Sequence, residues 1–203
     1  PFISGDKWWK LKYNLEEAVR LEHHTLLTFG GAYSNHIYAI AAAAKELGLK
    51  SIGIIRGEET LPLNQTLAFA ESCGMKLHYL TREEYRDKAD EAFIQKLQNQ
   101  FGDFYLIPEG GTNELAVKGT AEFGKQVISE TQFDYLCLPV GTGGTMAGLV
   151  RGMTGRKNLL GFSVLKGGGF LNDEVKRWAG DSTDNWSIVE DYHFGGYAKT
   201  TSE

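Results

Sequence analysis

The sequence predicts an α/β fold built on mainly parallel sheet, and three observations carry that prediction. Short apolar, β-branched runs alternate with helical patterns along almost the whole chain. Glycine-bearing turns at Gly30 to Asn35, Glu109 to Asn113 and Gly141 to Thr145 each stand ahead of a helical pattern. The run Phe133 to Val140, FDYLCLPV, is apolar enough for a central parallel strand, which is covered on both faces. Alternation of this kind implies right-handed crossovers.

The chain opens on PFISGDKWWK, in which Lys7 follows Gly5 and Asp6 and precedes Trp8 and Trp9. A lysine roofed by aromatic rings is desolvated, which favours the neutral amine and makes it a candidate covalent anchor for an aldehyde. The alternative is an ordinary solvated surface charge. Leu11 to Leu21 reads as a helix with Leu11, Leu15, Ala18 and Val19 at helical intervals and with Asn14 and the glutamates outward. Thr25 to Phe29 is a strand cut by Gly30 and Gly31, and an alanine-rich helix follows to Leu47.

Lys50 to Ile55 is the next strand, and Pro62 is expected to open a helix to about Ser72, with Gly74 as its stop. Met75 to Leu80 is a strand, and Thr81 with Glu84 forms a capping box for a polar helix reaching about Gln100. Phe104 to Ile107 is a strand ended by Pro108, and a helix to about Ser129 follows the EGGTNE turn. Beyond Val140 come a helix to Gly152, a strand at about Leu159 to Val164, the triple glycine Gly167 to Gly169 and a helix from Phe170 to Trp178.

A chain of 203 residues suffices for one large domain or two small ones. Its net charge of −5 shows no basic footprint for nucleic acid and no polybasic patch for a membrane, so a small-molecule partner is expected. No apolar run has the length of a membrane span and the first residues lack a signal-peptide pattern, which points to the cytoplasm. Cys73 and Cys137 stand in neither a CxxC pair nor a metal-ligand spacing, so no disulfide or structural metal is expected, and Cys137 reads as a buried thiol. The chain begins at Pro1 and stops at Glu203 with no closing element in view, so it is expected to be incomplete at its C-terminus.

Two of the turns suggest chemistry. In GTGGT, glycines let successive amides turn inward as an anion nest, and Thr142 and Thr145 add hydroxyls, which suits a phosphate. No Gly-Lys-Ser/Thr follows it, so it is not a nucleotide triphosphate loop, and its spacing is not that of a dinucleotide fingerprint. A purely structural turn would also use glycines. In GGAYSN, Ser34 and Asn35 at a helix start suit a carboxylate and an aromatic oxyanion, though plain capping uses the same residues. An anchoring lysine, a phosphate nest and a carboxylate turn converge on pyridoxal phosphate acting on a small amino acid. A phosphate-binding module using GTGGT alone is the competing reading.

SGDKWWKLKYN, GGAYSNH, EGGTNE and PVGTGGTMAG together resemble the 1-aminocyclopropane-1-carboxylate deaminase/D-cysteine desulfhydrase family of tryptophan-synthase-β-like pyridoxal phosphate enzymes. The resemblance covers nearly the whole chain and implies two open, mainly parallel twisted sheets flanked by helices. Residues 10–118 would form the small domain, and 1–9 with 119–203 the large cofactor-binding domain. By the same resemblance Lys7 is the Schiff-base lysine, Lys10 a phosphate contact, and Gly141, Thr142, Gly143, Gly144 and Thr145 the phosphate loop. Ser34 is implied as the active-site serine, Asn35 as the partner of the pyridoxal 3′ oxygen, and Ser34, Asn35 and His36 as the substrate-binding turn. Tyr197, in FGGY, resembles the family tyrosine that reaches the substrate.

Catalytic roles are thus implied for Lys7, Ser34 and Tyr197, in a deaminating lyase that also forms a homodimer. The chain departs from the family at Asp6, where asparagine is usual, and IIRGEE lacks the tryptophan expected of a true cyclopropane deaminase. His36 makes the turn Ser-Asn-His, closer to the desulfhydrase side. The expected reaction is therefore D-cysteine to pyruvate, sulfide and ammonia. Ring opening of the cyclopropane amino acid to 2-oxobutyrate is the alternative, and a non-catalytic pyridoxal phosphate-binding protein is a further one.

Overall fold

The computed structural model describes residues 3, 5–180 and 185–192. The chain divides into two compact units, Pro1–Gly111 and Thr112–Glu203. Each carries its own parallel sheet.

The first unit begins with α1 (Asp6–Arg20), followed by β1 (Thr25–Gly31), α2 (Asn35–Leu47), β2 (Lys50–Arg56), α3 (Gln65–Ser72), β3 (Met75–Leu80), α4 (Glu91–Phe101) and β4 (Tyr105–Ile107). The strand order is β3-β2-β1-β4, and every pairing is parallel. Side chains alternate between the two faces of each strand. Leu26 and Ile55 join Leu11, Leu15, Ile37 and Ile40 in one core, whereas Leu27, Phe29, Ile52 and Ile54 join Tyr85, Leu97 and Phe104 in another. The sheet is therefore buried on both sides, which is why β1 and β2 read as unbroken apolar runs.

Strand order also locates the crevice. From β1 the chain steps outward to β2 and β3, then returns to place β4 on the other flank of β1. A reversal of this kind opens a gap beyond the carboxyl ends of the two strands, the usual ligand position of an open α/β sheet.

The second unit contains α5 (Glu114–Glu130), β5 (Tyr135–Val140), α6 (Gly144–Met153), β6 (Asn158–Ser163), α7 (Phe170–Ala179) and β7 (Trp186–Val189). Its strand order is β5-β6-β7, all parallel. Val117, Met146, Leu149, Val150, Leu159, Leu171 and Val175 form its core.

Several local expectations are revised. The first helix starts at Asp6 rather than Leu11, so Lys7 lies in its first turn. Asn14, expected outward, is fully buried; its amide donates to the Lys10 carbonyl at 2.9 Å, and Tyr105 Oη donates to its Oδ1 at 3.4 Å. Asn64, not Pro62, opens α3, because its Oδ1 accepts from the amides of Thr66 and Leu67. The Thr81–Glu84 box forms but opens only the 3-10 turn Glu84–Asp87, and Asp90 caps the helix proper. Among the described residues β5 lies at the edge of its sheet rather than the centre, and it leaves Tyr135 and Cys137 exposed. The strand β7 had no counterpart in the sequence reading.

Candidate functional site

Helix geometry decides what surrounds Lys7. Successive residues turn by about 100°, so Lys10, Leu11, Asn14 and Ala18 share its stripe while Trp8 points elsewhere. Lys10, Leu11, Asn14 and Ala18 are all buried, and Trp8 is exposed. Trp9 packs under the ammonium of Lys12, 5.9 Å from its ring centre. The expected aromatic roof over Lys7 is thus replaced by an ionic neighbour: Lys7 Nζ lies 3.1 Å from Asp6 Oδ2, the two side chains being 22% and 39% exposed.

Lys10 is 1% exposed. Burial pushes its amine down to about 7, the nearby charge of Lys7 adds to the fall, and Asp6 partly opposes it. The turn after β1 brings up α2, where Ser34 is the N-cap and its Oγ accepts from the Ile37 amide at 3.3 Å. Ser34 is half-buried and Asn35 is exposed in the first turn.

His36 is 2% exposed, with Nε2 2.8 Å from Thr28 Oγ1. Burial first, then the charges of Lys7 and Lys10, hold its imidazole well below the ordinary histidine range. Gly111, after β4, has φ +72°, and a Cβ there would meet His36 Cε1 at 3.0 Å and Lys10 Cε at 3.7 Å. The lysine stripe, the α2 start and the β4 turn therefore converge at the crevice of this sheet. Thr28 and Gly111 were not singled out from the sequence; Thr28 reads as one more β-branched strand residue.

In the second unit β5 delivers the chain into Gly141 and Thr142, and α6 begins at Gly144. Gly143 takes φ +76°, and no side chain caps the helix, so its first amides point at whatever occupies the turn. Thr142 Oγ1 lies 2.8 Å from Thr112 Oγ1. A Cβ on Gly144 would sit 2.6 Å from that Thr112 oxygen, so only glycine admits this hydroxyl beside the turn. Thr145 is half-buried in the first turn of α6. Thr112 joins the candidate set; its place in EGGTNE was the signal for it. Tyr197 lies outside the described residues. Among the described residues no group of three His, Cys, Asp or Glu side chains is placed to hold a metal, and no helix is long and apolar enough to cross a membrane.

A sheet-reversal crevice with a buried lysine and an uncapped glycine turn mark a cofactor-dependent α/β protein. The chain belongs to the pyridoxal-phosphate dependent enzyme family, which matches residues 8–163. It is 33% identical, over 98% of its own length and 69% of the relative's, to a Thermotoga maritima protein provisionally named 1-aminocyclopropane-1-carboxylate deaminase. It is 29% identical, over 99% of its length and 56% of the relative's, to the mitochondrial bifunctional D-cysteine desulfhydrase/1-aminocyclopropane-1-carboxylate deaminase of Arabidopsis thaliana. A solved structure described as an ACC deaminase homologue superimposes with TM-score 0.82 at 24% identity, over 98% of this chain and 65% of that one. The chain thus spans between about half and about two thirds of these relatives.

The residues present fit the family's cofactor. A phosphate suits the uncapped α6 start and its converging threonine hydroxyls, and an aldehyde suits an amine such as Lys7 set in a crevice.

Proposed function

We propose that this chain carries the cofactor-binding and substrate-binding residues of a deaminating lyase for a small amino acid, with D-cysteine as first substrate. The observation that carries the reading is the Lys7–Lys10 stripe of α1 set beside Ser34 and His36 at the strand-reversal crevice. The names of the relatives support both D-cysteine and the cyclopropane amino acid as substrates.

In this reading Lys7 Nζ is the covalent anchor for the cofactor aldehyde, and it moves the Cα proton once freed. Lys10 and the amides and hydroxyls of Gly141, Thr142, Gly143, Gly144 and Thr145 hold the phosphate. Asn35 donates to the ring oxygen, and Ser34 with Asn35 orients the substrate carboxylate. Bound pyridoxal phosphate supplies an electron sink for the pair left on Cα. With D-cysteine, loss of that proton and of the β thiol would release sulfide and an enamine, which takes up one water to give pyruvate and ammonia. The cyclopropane amino acid has no Cα hydrogen, so ring opening must begin from Ser34 Oγ or Tyr197.

The division into residues 10–118 and 1–9 with 119–203, the homodimer and the cytoplasmic location belong to the same proposal. The compact-unit break after Gly111 falls near the second of those boundaries. One observation favours a second reading, a non-catalytic cofactor binder: the Asp6–Lys7 contact at 3.1 Å engages the amine as an ammonium.

The test is keto-acid identification after supplying D-cysteine and 1-aminocyclopropane-1-carboxylate together with pyridoxal phosphate. Pyruvate with sulfide supports the desulfhydrase, and 2-oxobutyrate selects ring opening. A covalent lysine adduct with no product selects the binder, and no adduct at all removes the reading.

A further inference from the structure

The crossing of α5 and α6 decides which threonine reaches the GTGGT turn. Gly144, Gly148 and Gly152 recur at every fourth position and so form one row along α6. The room they leave is filled from α5 and the residue ahead of it. A Cβ on Gly148 would collide with the Thr120 hydroxyl, one on Gly152 with the Ala121 carbonyl, and one on Gly144 with Thr112 Oγ1 at 2.6 Å. Thr120 Oγ1 donates to the Ala116 carbonyl of its own helix at 2.9 Å, so its single proton stays within α5. Thr112 stands differently. It precedes Asn113, the N-cap of α5, whose Oδ1 accepts from the Ala116 amide at 2.9 Å. Its hydroxyl turns toward the start of α6 and lies 2.8 Å from Thr142 Oγ1.

Each hydroxyl carries one proton, and in a bond between two of them one proton lies between the oxygens while the other is left for a further acceptor. Either threonine can be the donor in the bare pair. A phosphate dianion removes that choice, because it has acceptor oxygens only. With phosphate in the turn the Thr142 proton goes to it, and Thr142 Oγ1 must then accept from Thr112. Hydrogen bonds in series polarise one another, so Thr142 becomes the stronger donor when Thr112 donates to it. The bond also holds the Thr142 side chain in one staggered well, from which its oxygen could otherwise rotate away.

We propose that Thr112 is a positioning residue for the cofactor phosphate: it acts through Thr142, donating to that hydroxyl and holding it in the turn while Thr142 donates to the phosphate. Gly144 is what admits Thr112 to this place, since a Cβ there would claim the space of its Oγ1 and Cγ2. The role rests on the reading of GTGGT as the phosphate turn. The Thr112–Thr142 bond itself is a contact of the folded chain.

The experiment is a double-mutant cycle on pyridoxal phosphate affinity, measured by equilibrium dialysis for wild type, Thr112→Val, Thr142→Val and the double variant. Thr112→Val keeps the shape of the side chain and removes its hydroxyl, so it should weaken binding about fivefold, the worth of roughly one hydrogen bond. In the Thr142→Val background the same change should cost almost nothing more, since a residue that acts through Thr142 has nothing left to act on. Thr112→Ser keeps the hydroxyl and should recover most of the affinity. Pyridoxal, which lacks the phosphate, should bind wild type and Thr112→Val equally, as it would not if the substitution had merely damaged the fold. Wild-type affinity in Thr112→Val, a full further loss in the double variant, no recovery in Thr112→Ser or an equal loss for pyridoxal overturns the positioning role. A wild type that binds pyridoxal phosphate no more tightly than pyridoxal would instead overturn the phosphate turn, and the role of Thr112 with it.

Discussion

The two units prepare a strand-to-helix turn for a ligand in opposite ways. In the first, Ser34 caps α2 and the positive charge is carried by side chains, Lys10 chief among them, whose protonation depends on burial. In the second, α6 is left uncapped and its turn is made of glycine backbone, whose dipoles do not titrate. A turn of side chains is tunable by pH and by neighbours, whereas a turn of amides is fixed once the chain has folded. Substitutions and pH should therefore affect the two units differently.

The largest effect is expected at Lys7. Lys7→Ala should abolish the borohydride-trapped adduct and lower turnover by about 10²–10⁴-fold, the usual worth of a positioned acid–base group. An adduct retained elsewhere in the chain would break the assignment of the first unit as the anchor.

The pH dependence comes next. Lys10 has a folded pKa of about 7 against its ordinary 10.5, so between those values the unfolded chain binds more protons than the folded one. Stability should therefore rise as pH climbs from about 7 toward about 10, with a slope of up to about 1.4 kcal/mol per pH unit from this group. Below about 7 the buried ammonium's penalty is present in full. Denaturant midpoints measured across that range in wild type and Lys10→Met check it: the variant should lose the rise, and an identical slope would put the titrating group elsewhere.

Gly144→Ala probes the fixed turn. The added methyl would meet Thr112 Oγ1 at 2.6 Å and Cγ2 at 2.8 Å. Overpacking of this kind should lower stability by about 1–3 kcal/mol and weaken cofactor retention, with no new pH dependence in either. A pH-dependent loss would erase the contrast between the units. The smallest effect is assigned to Thr145→Val, which should weaken retention by about 1 kcal/mol, or roughly fivefold, while leaving the lysine adduct intact. Equilibrium dialysis with pyridoxal phosphate reads it, and unchanged retention would remove Thr145 from the phosphate set.

Much of the architecture was legible in the chain because strands buried on both faces must be apolar throughout. Thr25 to Phe29 and Lys50 to Ile55 stand out for that reason, the second preceded by the glycine that ends α2. Elements whose burial is one-sided or short were harder. The exposed Tyr135 and Cys137 of β5 look apolar in sequence, and the four residues of β7 carry no period long enough to read. At the candidate site, GTGGT and the lysine segment were visible as local motifs. The Thr28–His36–Ile107 chain was not, since its members are separated by 8 and 79 positions and meet only when β4 pairs with β1. Asn14 shows the same limit: a polar residue on a helix is assigned to solvent unless a distant tyrosine is known to receive it.

The sequence by itself determined the α/β alternation, the glycine turns and the order of the lysine, serine–asparagine and GTGGT motifs, because these depend on local periodicity and on backbone freedom. Tertiary structure decided which charges those motifs carry. Lys10 is held near neutrality and His36 is held uncharged only because sheet and helices close over them, and the desolvation that sets a protonation state is a property of packing that no stretch of chain possesses alone.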